Sequence, residues 1–137
     1  MRLKLFIGML LVCALSVISA AAGSRVVVSK AAGPKLATAS MEHSFGEVKA
    51  GTPLNYTFVI RNLGDADLQI KNVEPSCGCT TTSFDKVISA GHKGGITLSV
   101  EKTADYKGDV VETATVTTND PDRQTFTLSL RASFKAE

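Results

Sequence analysis

The chain has 137 residues, fifteen basic against thirteen acidic side chains, three cysteines and no tryptophan. Its basic residues are scattered, which excludes the concentrated positive face that nucleic acid or an anionic membrane surface requires. The length allows one small domain and little else.

The first 22 residues read as a secretory signal. Arg2 and Lys4 form a positive start, Leu5 to Ile18 is an almost unbroken apolar run, and Ser19 to Ala22 are small. That run is shorter than the roughly 20 residues needed to span a bilayer. The sequence therefore predicts export to the periplasm or the extracellular space, with no stable membrane anchor after cleavage. Removal takes Arg2, Lys4 and Cys13 away. It leaves thirteen residues of each charge sign and two cysteines, Cys77 and Cys79, in a compartment that permits disulfides. Residues 23–37 contain Gly23, Gly33 and Pro34 and read as a linker, in which Val26 to Val28 have strand character.

Residues 38–137 alternate with period two. Leu54, Tyr56, Phe58 and Ile60 share one face of the first clear strand. Leu68 and Ile70 follow, then Ile96, Leu98 and Val100, then Ala114 and Val116, and finally Phe126, Leu128 and Leu130. Turns are predicted at Asn62-Leu63-Gly64-Asp65, at Ala90-Gly91 with Gly94-Gly95, and at Asn119-Asp120-Pro121-Asp122. No helical stripe appears after residue 22. The fold class is all-β, an immunoglobulin-like antiparallel β-sandwich, whose apolar rows must hold it without a cross-sheet disulfide.

Ser76-Cys77-Gly78-Cys79-Thr80 is the chemically distinctive stretch. In an extended strand the two cysteines would share a face with Cα atoms about 6.6 Å apart. A disulfide between Cys77 and Cys79 therefore needs a local turn, for which Gly78 has the freedom. Two thiolates also suit copper(I) or zinc, with His92 the nearest candidate for a third ligand. His43 reads as a strand histidine beside Phe45. A redox dithiol is the third option, although redox pairs favour C-x-x-C at a helix start, which this chain lacks. The plainest alternative is a pair of small residues at a sheet corner. Asp65, Asp67, Asp120 and Asp122 fall in turns without the spacing of a calcium loop. Hydrolase, metalloprotease and phosphate-loop motifs are absent.

Several of these residues together resemble a family of exported bacterial domains of unknown function, related to Hydin-like and major-sperm-protein-like immunoglobulin folds. They are Phe45-Gly46, Asn62 with Gly64-Asp65, Leu68, Ile70, the Ser-Cys-Gly-Cys-Thr motif, Ala90-Gly91, Gly108 and Thr118-Asn119. Ala90 stands where that family usually has proline. The resemblance implies a sandwich of about seven strands and a non-enzymatic module. The expectation is an exported protein with a protein-binding or structural role in the cell envelope and an unidentified protein partner. The alternative is copper(I) or thiol-redox handling through Cys77 and Cys79. No catalytic residue and no cofactor is assigned.

Overall fold

A computed structural model describes residues 33–135 of the chain. The predicted signal and the linker as far as residue 32, Val26 to Val28 included, lie outside the described residues.

Nine strands follow one another: β1 (Leu36–Thr38), β2 (Glu42–Lys49), β3 (Leu54–Asn62), β4 (Leu68–Pro75), β5 (Thr80–Phe84), β6 (Val87–Ile88), β7 (Lys93–Val100), β8 (Gly108–Thr118) and β9 (Thr125–Lys135). They form two sheets, ordered β1-β3-β7-β5 and β2-β9-β8-β4-β6. The expected seven become nine because two pieces are very short. β1 has three residues and β6 two, below the length at which periodicity can be read. β1 also takes Leu36 and Ala37, which the sequence had placed in the linker; Leu36 is 6% exposed and belongs to the core.

One pairing departs from the antiparallel expectation. After β1 leaves the edge of the first sheet, the chain crosses to the second and β2 runs parallel to β9. A bulge between Ser44 and Glu47 interrupts that pair, at Gly46 with φ +69. A left-handed backbone there suits glycine and accounts for its place beside Phe45.

The period-two rows produce the core. Phe58, Ile60, Ile96, Leu98 and Val100 face in from the first sheet, and Val116, Leu128 and Leu130 from the second. Each is at most 2% exposed, so both faces are dry. Gly94 and Gly95 lie inside β7, and the break falls at Gly91 instead. A Cβ on Gly94 would meet the Ile88 side chain at 2.6 Å, so glycine there is a packing requirement.

Polar ties close one end of the sandwich. Asn62 is fully buried and makes four hydrogen bonds: its Oδ1 accepts from the amides of Lys35 and Gly64, and its Nδ2 donates to the carbonyls of Ala66 and Ile88. Gly64 has no room for a side chain, because a Cβ would collide with the Gly33 carbonyl oxygen. Asp120 accepts from the amides of Leu36 (2.6 Å) and Asp122 (2.9 Å). Asp65 accepts from the Gly33 amide. These turn aspartates serve the backbone.

Phe58 is 2% exposed, while Thr57 is exposed and hydrogen-bonds the Thr97 hydroxyl on the outer face. Phe58→Ala is expected to destabilise the domain by about 3–5 kcal/mol and Thr57→Ala by well under half of that. Chemical denaturation of both variants checks this; equal losses would mean the inner and outer faces of β3 are assigned the wrong way round.

Candidate functional site

The Cys-Gly-Cys stretch sits where the chain passes from one sheet to the other. β4 ends at Pro75 in the five-stranded sheet, and β5 begins at Thr80 in the four-stranded one. The four residues between make a tight turn. Ser76 donates its amide to Thr113 on β8 (2.8 Å), and Thr80 donates its amide to the Cys77 carbonyl (3.2 Å). This turn draws the two Cα atoms to 5.2 Å, and Cys77 and Cys79 are joined by a disulfide. Gly78 does not occupy the left-handed region that its freedom would have allowed. Apart from the two cysteines themselves, a Cβ on it would meet nothing within 4 Å, so no packing contact requires glycine here. Both cysteines are half-buried.

Beneath the turn lies a residue the sequence reading passed over. Glu112 occupies the inner row of β8, two before Ala114, and is only 7% exposed. Counting back along the Ala114–Val116 row was the signal that would have found it. A buried carboxylate must be hydrogen-bonded to be tolerated. Here Tyr106 donates its hydroxyl to Oε1 (2.8 Å), and the Thr80 hydroxyl donates to Oε2 (3.4 Å). Tyr106 comes from the connection between β7 and β8, which also crosses between the sheets, and its ring packs edge-on against Phe134. No sequence pattern announces it. Its Oη lies 2.9 Å from Cys79 Sγ, and Glu112 Oε1 lies 3.9 Å from the same sulfur. Burial first, then the hydrogen bond to Glu112 and its charge, push Tyr106 up to about 12.

The metal candidates separate. Cys77, Cys79 and Glu112 have ligand atoms within 4.8 Å of one another. A bridged sulfur offers no thiolate, so this trio can hold a soft cation such as copper(I) only after reduction. His92 does not belong to it. It precedes β7, and Cys79 lies beside the far end of that strand, where Thr80 pairs with Val100. Strand rise puts about 23 Å between the two ends. The His92 ring nitrogen Nδ1 instead contacts the Ala90 carbonyl. His43 stacks on Tyr56 with centroids 3.6 Å apart and stands edge-on to Phe45.

Residues 36–134, nearly the whole sandwich, match the profile of a family described as a protein of unknown function, DUF1573. The chain belongs to the DUF1573 family. No curated protein matches the sequence. Among solved structures the chain is similar to a protein of unknown function from Porphyromonas gingivalis W83, with TM-score 0.65 and 18% identity over 78% of this chain and 50% of that one. It is also similar to a PapD-like domain of human CEP192, with TM-score 0.55 and 11% identity over 75% of this chain and 87% of that domain. The secreted serine protease VesC from Vibrio cholerae is similar at TM-score 0.53 and 13% identity, over 74% of this chain and 23% of the protease. The chain thus spans half of the Porphyromonas protein and under a quarter of the protease. At these identities the likeness shows the fold, an immunoglobulin-like sandwich, and carries no activity across.

The geometry around Glu112 makes a spectroscopic prediction. In a Tyr56→Phe background, Tyr106 is the tyrosine left in the described residues. Its phenolate absorbance is expected to rise with a midpoint near pH 12 and to move part of the way down when Glu112→Gln is added, the larger share due to burial remaining. Because the fold favours the neutral phenol, its stabilising contribution is complete below about pH 10 and is lost as pH rises through about 12. An unchanged midpoint in the Gln variant would mean that the carboxylate does not act on the phenol.

Proposed function

We propose that this DUF1573 domain is an exported module that binds a protein partner in the cell envelope by adding the partner's strand to β3. The observation that carries this reading is the free edge of β3. β1 pairs only with Ile60, Arg61 and Asn62, and among the described residues no strand pairs with β3 from Leu54 to Val59 on that side. Leu63 donates its amide toward β1, to Lys35, and Asn62 donates toward the β7 side, to His92. By that alternation the amides and carbonyls of Asn55 and Thr57 and the amide of Val59 point out along the open edge. An extended peptide gains affinity from such groups by completing the ladder.

Apolar surface adjoins that edge. Val59 is 52% and Leu63 57% exposed, and together with Ala37, Ala39 and the Arg61 stem they line a recess of about 300 Å³. Val59 faces Gly95 across the β3–β7 ladder, so no neighbouring side chain covers it on that side. A partner strand with a small apolar side chain at alternate positions fits this shelf. Export is supported by the signal-like first 22 residues and by the disulfide, which persists in oxidising compartments.

Thr57→Pro tests strand addition. It removes an amide that points away from β7, so the sheet's own ladder is spared while the edge is blocked. A photo-crosslinking residue at Val59 is expected to trap a discrete partner in intact cells. Thr57→Pro should abolish that product without moving the unfolding midpoint by more than a few degrees, and a crosslinker at Lys71 on β4 should trap nothing comparable. Equal crosslinking from both positions would contradict the proposal. Capture of residues 23–32 of the chain itself would show that the edge is covered internally.

A further inference from the structure

The bridged cysteines and the buried carboxylate under them have no part in binding at the β3 edge. We propose that Cys77 and Cys79 form a thiol–disulfide exchange site in which Cys77 is the attacking sulfur and Cys79 the resolving one, with Glu112 accepting the Cys79 proton.

Three observations assign the roles. Both cysteines are half-buried in a turn whose Ser76 and Gly78 are exposed, so the bridge lies at the surface of the domain rather than in its core. The two sulfurs are electrostatically unlike. Cys77 Sγ accepts the amide of Cys79 at 3.2 Å, a contact that favours negative charge on that sulfur. Cys79 Sγ instead faces Tyr106 Oη and the Glu112 carboxylate, where a thiolate would meet a like charge and a thiol would find a proton acceptor. Finally, Glu112 stands between the apolar Val110 and Ala114 in the inner row of β8. Packing alone is served better by valine or leucine there, since an ionised carboxylate loses its hydration on burial. The groups facing it are Tyr106 from the β7–β8 connection, Cys79 from the turn and Thr80 from β5; among the described residues no lysine or arginine pairs with it.

In the reduced protein the Cys77 thiolate attacks a disulfide R–S–S–R′, forming Cys77–S–S–R and expelling R′–S⁻. Cys79 gives its proton to Glu112, directly or through the Tyr106 hydroxyl, and its sulfur attacks Cys77 Sγ. The bridge closes, R–S⁻ leaves, and the two thiolates take up protons from water and from Glu112. Two electrons pass from the cysteine pair to the substrate disulfide, which ends as two thiols. The structure shows the oxidised end of this sequence, and the reverse direction accepts electrons from thiols. The substrate class is an accessible disulfide, carried by a small molecule or by a peptide. Opening the ring costs the fold little, because a bridge between residues two apart removes little chain entropy.

The test uses the processed protein, reduced, freed of reductant without air, and mixed with oxidised glutathione or with a disulfide-linked peptide dimer. Alkylation and mass spectrometry follow the products over time. Cys79→Ser is expected to accumulate the mixed disulfide on Cys77. Cys77→Ser should react at least tenfold more slowly. Glu112→Gln should form the mixed disulfide at the parental rate and close the bridge about a hundredfold more slowly near neutral pH. That gap should shrink as pH rises and the thiol ionises unaided. The unfolding midpoint of each variant is measured alongside. If Glu112→Gln does not fold, the trapping pattern of the two cysteine variants still decides the assignment. Reaction with one of the two disulfides identifies the source of the substrate. Reaction with neither, equal trapping on either cysteine, or a folded Glu112→Gln protein that closes the bridge at the parental rate at every pH overturns the proposal.

Discussion

Between the two sheets, the inner rows of β3 and β7 meet those of β8 and β9 with no tryptophan and no cross-sheet disulfide among them. Ile60, Ile96, Leu98, Val100, Val116, Leu128 and Leu130 have no exposed surface. Burial of this kind, at roughly 25 cal/mol per Å² of apolar surface, is the main source of stability available to the chain. The rows work only in one register, since a slip by one residue would turn every apolar side chain to solvent. The loops are then obliged to deliver each strand in that register. Asn62 does so at one end, where its amide joins the segment before β1, the β3–β4 turn and β6.

The other chemistry sits at crossings between the sheets. The Cys-Gly-Cys turn carries the chain from the second sheet to the first, and the Tyr106 connection carries it back. Both converge on the middle of β8, where Glu112 interrupts the apolar inner row between Val110 and Ala114. A carboxylate at that point is tolerated because two hydroxyls reach it, and it brings the only buried acid of β8 against Cys79. The turn and the connection carry Cys77, Cys79 and Tyr106, whereas Glu112 is part of the β8 row itself.

Much of this was legible in the residue order, and the reasons for the rest are physical. Period-two alternation revealed β3, β4, β7, β8 and β9 because each has one dry and one wet face, whereas β2 has no fully buried row. It could not reveal β1 or β6, which are too short to repeat, nor the parallel partnership of β2 with β9, which depends on where the chain crosses. Asn62, Gly64 and Asp65 stood out as motif residues, yet their purpose emerges only when Gly33, Lys35 and Ile88 come close in space. The site was half visible. Cys77 and Cys79 are neighbours in sequence and needed only a turn. Glu112 hides in the run VETATVTT as one more polar residue, Tyr106 is 27 residues from the sulfur it touches, and His92 was brought in only by its ligand chemistry.

The central claim is that apolar rows alone hold the sandwich, leaving the cysteine bridge free for chemistry. Thermal unfolding of a Cys77→Ser/Cys79→Ser double variant beside the parent, each with and without reductant and chelator, tests it most directly. A single cooperative transition whose midpoint falls by only a few degrees is the predicted result, with reduction of the parent producing a similarly small change. Collapse of the variant, matched by reducing the parent, would make the bridge a structural staple and contradict the account. Collapse matched by chelating the parent would do the same in favour of a structural metal.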